Sequence, residues 1–529
     1  MNLAEIALIQ FAAGGLELDC AKLPPPSTSD GWHHVQATLV SRLLDGTFPV
    51  HHRGVRLRNA RIVTSGREPL CLDRLRSDVG LRLKDCLLDC AIWASDARLP
   101  WLEVNGCELP ELLADRISVA GSVYLRGLRT TTAGSMGTVR LLGADIGHNL
   151  ELDGSRLHNL GVGPGLHAEG LRVGRAFRFR HGNVSTRCDT GAIQLVNARV
   201  EGDLWLDGTV VRNVRGPALN AEGLRVEGSL MLSSGFEARA MSDELATVHL
   251  MSASIGARLD LGEGRATTGL SYGRSDDDRT RTHAVLENTG GKHLTLDLKC
   301  ARVNELRLPD ETVCTSDQDW CGVDDKVVLV GLKYNSLSQE SMRPNWPHWL
   351  STHAEPFDSE PFQHLATIMR DAGKAGRARK VLIALEEERF RRRYRPSWGT
   401  RCWHVIKRVF TGHGYKPGRA LAGLLAVVGV AVVFTLIARA NGWISRPALL
   451  VEGLGGDGDG IACSTGDAIR LAADLSIPLI NTSGRLRCDF EHYGLAQQIG
   501  TVAGIVLQIL GWAFATLFVA GFSGAVRKI

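Results

Sequence analysis

A short pattern of alternating apolar and polar residues recurs through the first half of the chain. One copy is Leu150-Glu151-Leu152, and a third apolar residue, Ile146, precedes it. Alternation with a period of two predicts a β-strand, because successive side chains point to opposite faces. The copies follow one another at a near-constant step of about 27 residues, which is typical of repeat architectures. Their apolar residues are Val119, Val123 and Leu125; Ile146, Leu150 and Leu152; Val173, Phe177 and Phe179; Val200, Leu204 and Leu206; Val226, Leu230 and Leu232; Ile255, Leu259 and Leu261.

Corners of small residues separate these strands from shorter ones that precede them. Gly143-Ala144 and Ser252-Ala253 are two such corners, and glycine permits the sharp backbone bends that a coil needs. Stacked coils bury continuous rows of aliphatic side chains and leave only their ends open. The pattern therefore predicts a mainly β fold, a right-handed β-solenoid of stacked coils over residues 54–337, with less regular early coils. A β-sandwich would not require the same pattern at a constant step.

Helical segments are expected to cap both ends of the solenoid. Residues 1–53 form the N-terminal cap, with a helix from Trp32 to Asp45 for which Asp30 is the expected N-cap. Residues 338–397 form the second cap, a helix–turn–helix pair broken at Ala372-Gly373, and a basic linker. The pair and its arginines would also suit a nucleic-acid module, but the formal net charge of the chain is only +4.

The residues after this linker favour a membrane surface over nucleic acid. Aromatic and basic side chains beside an apolar span anchor proteins at the interface and bind anionic lipid headgroups. We therefore expect the lipid bilayer, and no nucleic acid, as a partner of this segment. The expected membrane-interface residues are Trp398, Trp403, Lys407, Arg408, Tyr415 and Lys416.

Residues 398–529 are expected to form a membrane domain with an interfacial helix and a two-span transmembrane hairpin. Residues 420–438 and 499–520 carry no charge, and each is long enough to cross a hydrocarbon core of about 30 Å. The distribution of Lys and Arg predicts a multi-pass protein of the cell membrane, with the solenoid and the C-terminus in the cytoplasm. Cys463 and Cys488 fall in the external loop, residues 439–498, where a disulfide between them is possible.

A stripe of small residues with one glutamine runs along the second span. One interpretation is close packing against another helix, because small residues let helices approach each other. The other is the lining of a pore, because a glutamine at mid-span needs a polar partner or water. A short helix expected at Gly466–Leu475 between the spans matches the plan of a two-span channel. The stripe consists of Gly500, Gly504, Gln508, Gly511 and Ala515.

Candidate chemistry is sparse along the whole sequence. Residues 453–458 match a dinucleotide-binding string, but that motif needs a βαβ unit and here it lies between two spans. The pairs His33-His34 and His51-His52 lack further ligands at metal-site spacing. Asp276-Asp277-Asp278 is interpreted as a solvated loop and not as a calcium site. We therefore assign no catalytic, cofactor-binding or metal-binding residue, and expect no cofactor.

Five stretches carry a resemblance to a known group of proteins. They are LLGADIGHNLELDG from Leu141, LNAEGLRVEGSLML from Leu219, EPFQHLATIMRDAGKAGRARKVL from Glu360, GHGYKP from Gly412 and LGWAFATLFVAGFSGAVRK from Leu510. With these, the chain resembles actinobacterial membrane proteins with pentapeptide-like repeats, which are often labelled membrane-associated oxidoreductase. The resemblance implies a membrane-tethered solenoid and supplies no catalytic motif.

These observations favour a membrane-anchored scaffold whose repeat domain binds a protein partner or copies of itself. One alternative is an oligomeric two-span channel or pore that the solenoid gates. Another alternative, which rests on the family label alone, is a membrane-associated oxidoreductase. We favour a protein that is not an enzyme.

Overall fold

The computed structural model describes residues 1–26, 28–66, 68–262, 284–309, 325–338, 346–392, 418–445, 463–477, 482–483, 487–490 and 495–527. The chain divides into two compact units, Met1–Val381 and Leu382–Ile529. The first unit consists mainly of parallel β-sheets, and the second is helical.

The first unit is a β-solenoid-like stack in which each complete coil contributes strands to four faces in turn. Face 1 is a ten-stranded parallel sheet. Its strands are Leu70–Cys71, Ile92–Trp93, Leu112–Leu113, Val139–Arg140, Leu166–His167, Ile193–Gln194, Leu219–Asn220, Val248–His249, Leu294–Asp297 and Lys326–Val328. Face 4 is a second ten-stranded sheet. Its strands are His34–Gln36, Arg61–Val63, Leu87–Leu88, Glu108–Leu109, Arg129–Thr132, Arg156–Asn159, Asn183–Thr186, Val210–Asn213, Glu237–Ala240 and Val285–Asn288.

Faces 2 and 3 belong to one 18-stranded sheet that bends at the corner between them. Face 2 holds Arg98–Leu99, Ser118–Val119, Asp145–Ile146, Arg172–Val173, Arg199–Val200 and Arg225–Val226. Face 3 holds Leu18–Asp19, Val55–Arg58, Leu81–Lys84, Leu102–Asn105, Val123–Tyr124, Leu150–Glu151, Phe177–Arg178, Leu204–Trp205 and Leu230–Met231. Three longer strands continue both faces: Ser254–Asp260, Arg302–Arg307 and Lys333–Leu337.

The register of the strands confirms the repeat and shows that it has two step lengths. Val123 pairs with Leu150, and Leu150 with Phe177, a step of 27 residues. Leu81 pairs with Leu102, and Leu102 with Val123, a step of 21 residues. The expectation of irregular early coils is therefore wrong. The coils differ because the later ones carry a longer face-4 strand and a longer connection back to face 1.

Aliphatic rows fill the centre of the stack. The residues that follow the face-3 strands form one such row and are almost completely shielded from solvent: Leu125, Leu152, Phe179, Leu206, Leu232 and Leu261. Because each side chain lies against its equivalent in the next coil, stacking removes apolar surface from water along the whole unit. This burial stabilises strands that are only two to four residues long in most coils.

The N-terminal region differs from its expected organisation. Leu18–Asp19 pairs with face 3 and His34–Gln36 with face 4, so the sheets begin before residue 54. The helix expected from Trp32 begins only at Ala37, because residues 34–36 form a strand; it is α2, Ala37–Leu44. Asp30 is not its N-cap, because its carboxylate instead contacts His34 and Arg61 at 2.8 and 2.7 Å.

An additional helix, α1 (Leu3–Ala13), precedes the first strand. The Asn2 side chain accepts a hydrogen bond from the Glu5 backbone, and the Glu5 carboxylate accepts one from the Asn2 backbone. This reciprocal capping satisfies two backbone donors that a helix start would otherwise leave free. Glu5 also accepts from the backbone of Gln36, which ties α1 to the first face-4 strand.

Three helices follow the last strand of the first unit: α3 (Trp346–His353), α4 (Glu360–Asp371) and α5 (Ala375–Arg391). The expected break at Ala372-Gly373 is confirmed. Glu360 accepts hydrogen bonds from Lys333 and from the backbone of Gly331, at 2.5 and 3.2 Å. These contacts hold α4 against the final coil.

The second unit contains two helices that are long and apolar enough to cross a membrane. They are α6 (Gly418–Ala440), with a candidate span at Ala420–Ala440, and α8 (Leu495–Arg527), with a candidate span at Gln498–Ala520. Between them lie a third helix, α7 (Thr465–Ser476), and a short antiparallel pair, Ile444–Ser445 with Asp489–Phe490. The expected helix between the spans is therefore confirmed.

Candidate functional site

Three exposed arginines, which we call the arginine row, lie side by side on face 2. Arg172 pairs in register with Arg199, and Arg199 with Arg225. Neighbouring strands are about 4.8 Å apart, so the three side chains leave the sheet at this spacing. Their outward direction follows from the alternation along each strand, because the next residues, Val173, Val200 and Val226, point into the core.

The backbone of the preceding corners holds these strands in place. Gly170, Asn197 and Gly223 take left-handed conformations, with φ of 66°, 54° and 66°. Glycine and asparagine adopt this conformation at lower cost than other residues. The corner ends when the backbone N–H of Arg199 donates to Leu171 of the neighbouring coil at 2.8 Å. The arginine positions are therefore set by the main chain.

The arginine row differs from the charged residues on the neighbouring face 3. There, Glu151 forms ion pairs with Arg126 of the preceding coil and Arg178 of the following one. Arg180 similarly pairs with Asp153 at 2.6 Å. Among the residues that the structure describes, no carboxylate pairs with any arginine of the row. Three like charges on adjacent strands repel each other unless a partner neutralises them.

The row has defined ends and an acidic border. Asp145 occupies the equivalent position in the preceding coil and Ser254 in the following one. Two residues beyond Arg199 and Arg225 stand Glu201 and Glu227, which are exposed. A narrow basic row with carboxylates on one side is thus presented to solvent.

A second polar row lies on face 1 and is largely shielded from solvent. The stacked residues are His167, Gln194, Asn220, His249 and Asp297. His249 Nδ1 is 3.2 Å from Asp297 Oδ2, without hydrogen-bond alignment, and the two side chains are only 5% and 10% exposed. Burial lowers the pKa of the His167 imidazole. Gln194 donates to Thr190 Oγ1 at 2.6 Å.

A histidine beside a carboxylate is the orienting part of a general base, which acts only if a substrate or nucleophile lies within hydrogen-bond reach. The nearest thiol of this row, Cys188, contacts Thr190 and Gln194, two strands away from His249. In the described part of the chain, no group of three His, Cys, Asp or Glu side chains could hold a metal ion. The geometry of this row is that of a polar ladder between coils. The oxidoreductase alternative stays a prediction, which a bound coloured or nucleotide cofactor in the purified protein would support.

The small-residue stripe of the second span packs against other parts of the second unit. A Cβ at Gly500 would lie 2.7 Å from Phe490 Cε1, and one at Gly504 would lie 3.1 Å from Leu475 Cδ2 on α7. Gly511 is also buried, whereas Gln508 and Ala515 are partly exposed. Of the two interpretations of the stripe, these contacts favour close packing for its first half.

Cys463 and Cys488 form a disulfide in the structure. The bond joins the start of α7 to the strand Asp489–Phe490, and both cysteines are buried with Leu471 and Leu475 in one apolar cluster. Arg439 Nε donates to the carbonyl oxygen of Cys463 at 2.9 Å, which links the end of α6 to the same point.

The six membrane-interface residues expected from the sequence lie outside the described residues. The dinucleotide-like string at 453–458 and the acidic run at 276–278 also lie outside them. The arginine row was missed, although its signal is visible in the sequence. An arginine directly precedes the first apolar position in three consecutive copies of the repeat, at Arg172, Arg199 and Arg225.

The fold and the two candidate spans define a class: a repeat protein of stacked parallel β-coils with two helices suited to a membrane. No protein-family model, curated protein or solved structure matches the chain.

Proposed function

We propose that this protein is a membrane-anchored scaffold whose coil stack holds a protein partner at the membrane. The arginine row carries this proposal. It is exposed, lacks carboxylate partners among the described residues, and is held by a hydrogen-bonded sheet. A surface that is already ordered binds with a smaller loss of conformational entropy.

The proposal includes a right-handed β-solenoid with helical caps. Connections between parallel strands are right-handed in nearly all known sheets, which supports this hand. The exposed edges of end coils invite pairing with other chains unless something covers them. The bonds from α1 to Gln36 and from α4 to Lys333 support the role of both helical regions as caps.

We further propose that the two spans form a multi-pass hairpin in the cell membrane, with both termini in the cytoplasm. The proposed interface residues between 398 and 416 would anchor its start at anionic headgroups. The Cys463–Cys488 disulfide supports an external position for the loop, because disulfides persist outside the reducing cytoplasm.

Site-specific photo-crosslinking in cells that express the full chain tests the scaffold. A photoreactive residue in place of Arg199 should capture a discrete protein partner. The same residue in place of Arg156, an exposed strand residue on face 4, is the matched control and should not. The Arg199 product should persist when an unrelated two-span anchor replaces residues 398–529. Identical products at both positions, or none at Arg199, would refute the proposal.

A second candidate is an oligomeric channel, and the position of α7 favours it. Ala472 on α7 packs with Val427 and Ala431 from the middle of one span and with Leu507 of the other. A short helix that reaches mid-span between two spanning helices is a feature of pore-loop channels. Asp474 on this helix accepts a hydrogen bond from Thr482 at 2.8 Å, and a carboxylate at such a depth requires water or polar neighbours.

Ion flux through liposomes that contain the full chain separates the two candidates. A channel should conduct, and its flux should fall when Gln508→Leu removes the polar residue of the second span. Ile509→Val, at an exposed apolar position of the same helix, is the control. Absence of flux from protein shown to be inserted and oligomeric would leave the hairpin as an anchor.

A further inference from the structure

We infer that the arginine row receives an acidic ridge of an α-helix from the partner protein, with the helix lying along the stack. This inference rests on the proposed scaffold function and adds the kind of partner. It follows from three observations: the spacing of Arg172, Arg199 and Arg225, the charges around them, and the corner residues beside them.

The spacing of the row matches a helix better than an extended chain. The coils advance by about 4.8 Å, so the outer two arginines emerge about 9.6 Å apart. Residues on one side of an α-helix recur once per turn, about 5.4 Å, so three turns place carboxylates over about 10.8 Å. Residues on one side of an extended strand recur at about 6.6 Å and span about 13 Å. A flexible arginine side chain can accommodate the first mismatch of about 1 Å more readily than the second.

The charges beside the row exclude a broad anionic surface as its best partner. Glu201 and Glu227 lie two residues beyond Arg199 and Arg225 and would face the phosphates of a nucleic acid or a lipid bilayer. A helix instead contacts a surface through one narrow ridge. Its flanking positions can carry Lys or Arg, which would meet these two glutamates.

The ends of the row define the length and polarity of the helix motif. Asp145 precedes the row in register, so the partner should carry Lys or Arg one turn beyond its acidic residues. Ser254, which follows the row, imposes no charge. The expected motif is three acidic residues at intervals of three or four, followed or preceded one turn away by a basic residue.

Apolar contacts are available beside the arginines. Val196, which precedes Arg199 at the corner between faces 1 and 2, is half-buried, and so are Leu142 and Met251 at the equivalent corners of other coils. Exposed ion pairs alone bind weakly. The corner residues would contact the helix beside its acidic ridge, while bidentate carboxylate pairing with the arginines would set its register.

The test uses the full chain in nanodiscs of phosphatidylcholine, which carries no net charge. The first probe is a fluorescent, stapled helical peptide with three glutamates on successive turns and a lysine on the next. The second has the same composition, but prolines hold it extended with the glutamates at alternate positions. Fluorescence anisotropy should show that the helical peptide binds about tenfold more tightly, with an affinity that falls as salt is raised.

Two charge reversals locate the binding site. Arg199→Glu, at the centre of the row, should weaken binding of the helical peptide about tenfold, because it replaces attraction by repulsion. Arg156→Glu makes the same change at an exposed strand position on face 4 and should leave binding unchanged. Circular dichroism should show that both variants are folded, and Arg199→Gln provides a milder change at the same site.

Each contrary result has a distinct meaning. Tighter binding of the extended peptide, an oligonucleotide or vesicles of phosphatidylglycerol, with the same dependence on Arg199, would overturn the helix. Equal effects of Arg199→Glu and Arg156→Glu on peptide binding would also overturn it. In either case, partner capture at position 199 in cells would still support the scaffold, and its absence would refute both proposals.

Discussion

Gly182→Ala should destabilise the coil stack, because Phe179 occupies the space that a methyl group would need. Phe179 is fully buried in the aliphatic row after face 3, where the equivalent residues of neighbouring coils are leucines. Gly182 lies at the next corner of the same coil. A Cβ there would stand 2.7 Å from Phe179 Cδ2 and 3.0 Å from Cζ, and closer still to Cε2. Carbon atoms in proteins pack at about 3.5–4.0 Å, so the ring or the corner would have to move.

The cost follows from the packing of the core. Adding a methyl group to a closely packed interior costs about 1–3 kcal/mol. The backbone of Gly182 is not in the left-handed region, so strain from φ adds nothing. Phe179→Leu alone should cost about 1–2 kcal/mol, because it leaves a cavity where the ring was. The double variant Gly182→Ala with Phe179→Leu should be less destabilised than the sum of the two changes, by about 1–2 kcal/mol.

Thermal unfolding of the full chain, followed by far-ultraviolet circular dichroism, measures these differences. Repeat proteins can open locally, so hydrogen exchange of residues 150–213 should accompany the melting curves. Gly134→Ala is the matched control, because its nearest neighbour would be Thr132 Oγ1 at an ordinary 3.5 Å. The reasoning fails if Gly182→Ala behaves like Gly134→Ala, or if the two changes at positions 179 and 182 are simply additive.

Three further changes test other parts of the structure. Asp260→Ala should cost about 3 kcal/mol in a denaturant titration, because it leaves the largely buried Arg307 without its carboxylate at 3.2 Å; a loss below 1 kcal/mol would contradict this role. Cys488→Ser should lower the stability of the second unit by about 3 kcal/mol through loss of the 25-residue disulfide loop to Cys463, and a reductant should reproduce the effect on the native chain. Burial lowers the pKa of His167 below its unfolded value of about 6.5, so this contribution to stability is complete above that pH and is lost as pH falls through the folded pKa. His167→Gln should therefore reduce the fall in melting temperature between about pH 7 and pH 5, and an unchanged fall would remove His167 as its source.

Several features of the fold could be predicted because they depend on local patterns. Leu150-Glu151-Leu152 alternates because one side of each strand is buried, and equal steps between copies indicate stacking. The two spans could be predicted because crossing a hydrocarbon core requires a long run without charge. The first coil was missed because Leu18–Asp19 and His34–Gln36 are too short to show a period, and they become strands only by pairing with residues 55–63.

The candidate site depended much more on tertiary structure. Arg172, Arg199 and Arg225 are visible in the sequence as isolated residues, but their alignment depends on strand register. A shift of one residue would have turned them into the core. The contact of Gly504 with Leu475 likewise depends on where α7 packs between the spans.

The sequence by itself determined that coils stack and that two helices suit a membrane, because burial of apolar side chains imposes a period or a minimum length on the chain. The tertiary structure decided which charges are neutralised by neighbouring coils and which remain open to a partner. That outcome depends on distances of a few ångströms between residues more than 20 positions apart, as between Glu151 and Arg178. Hydrophobic periodicity carries no information about such distances.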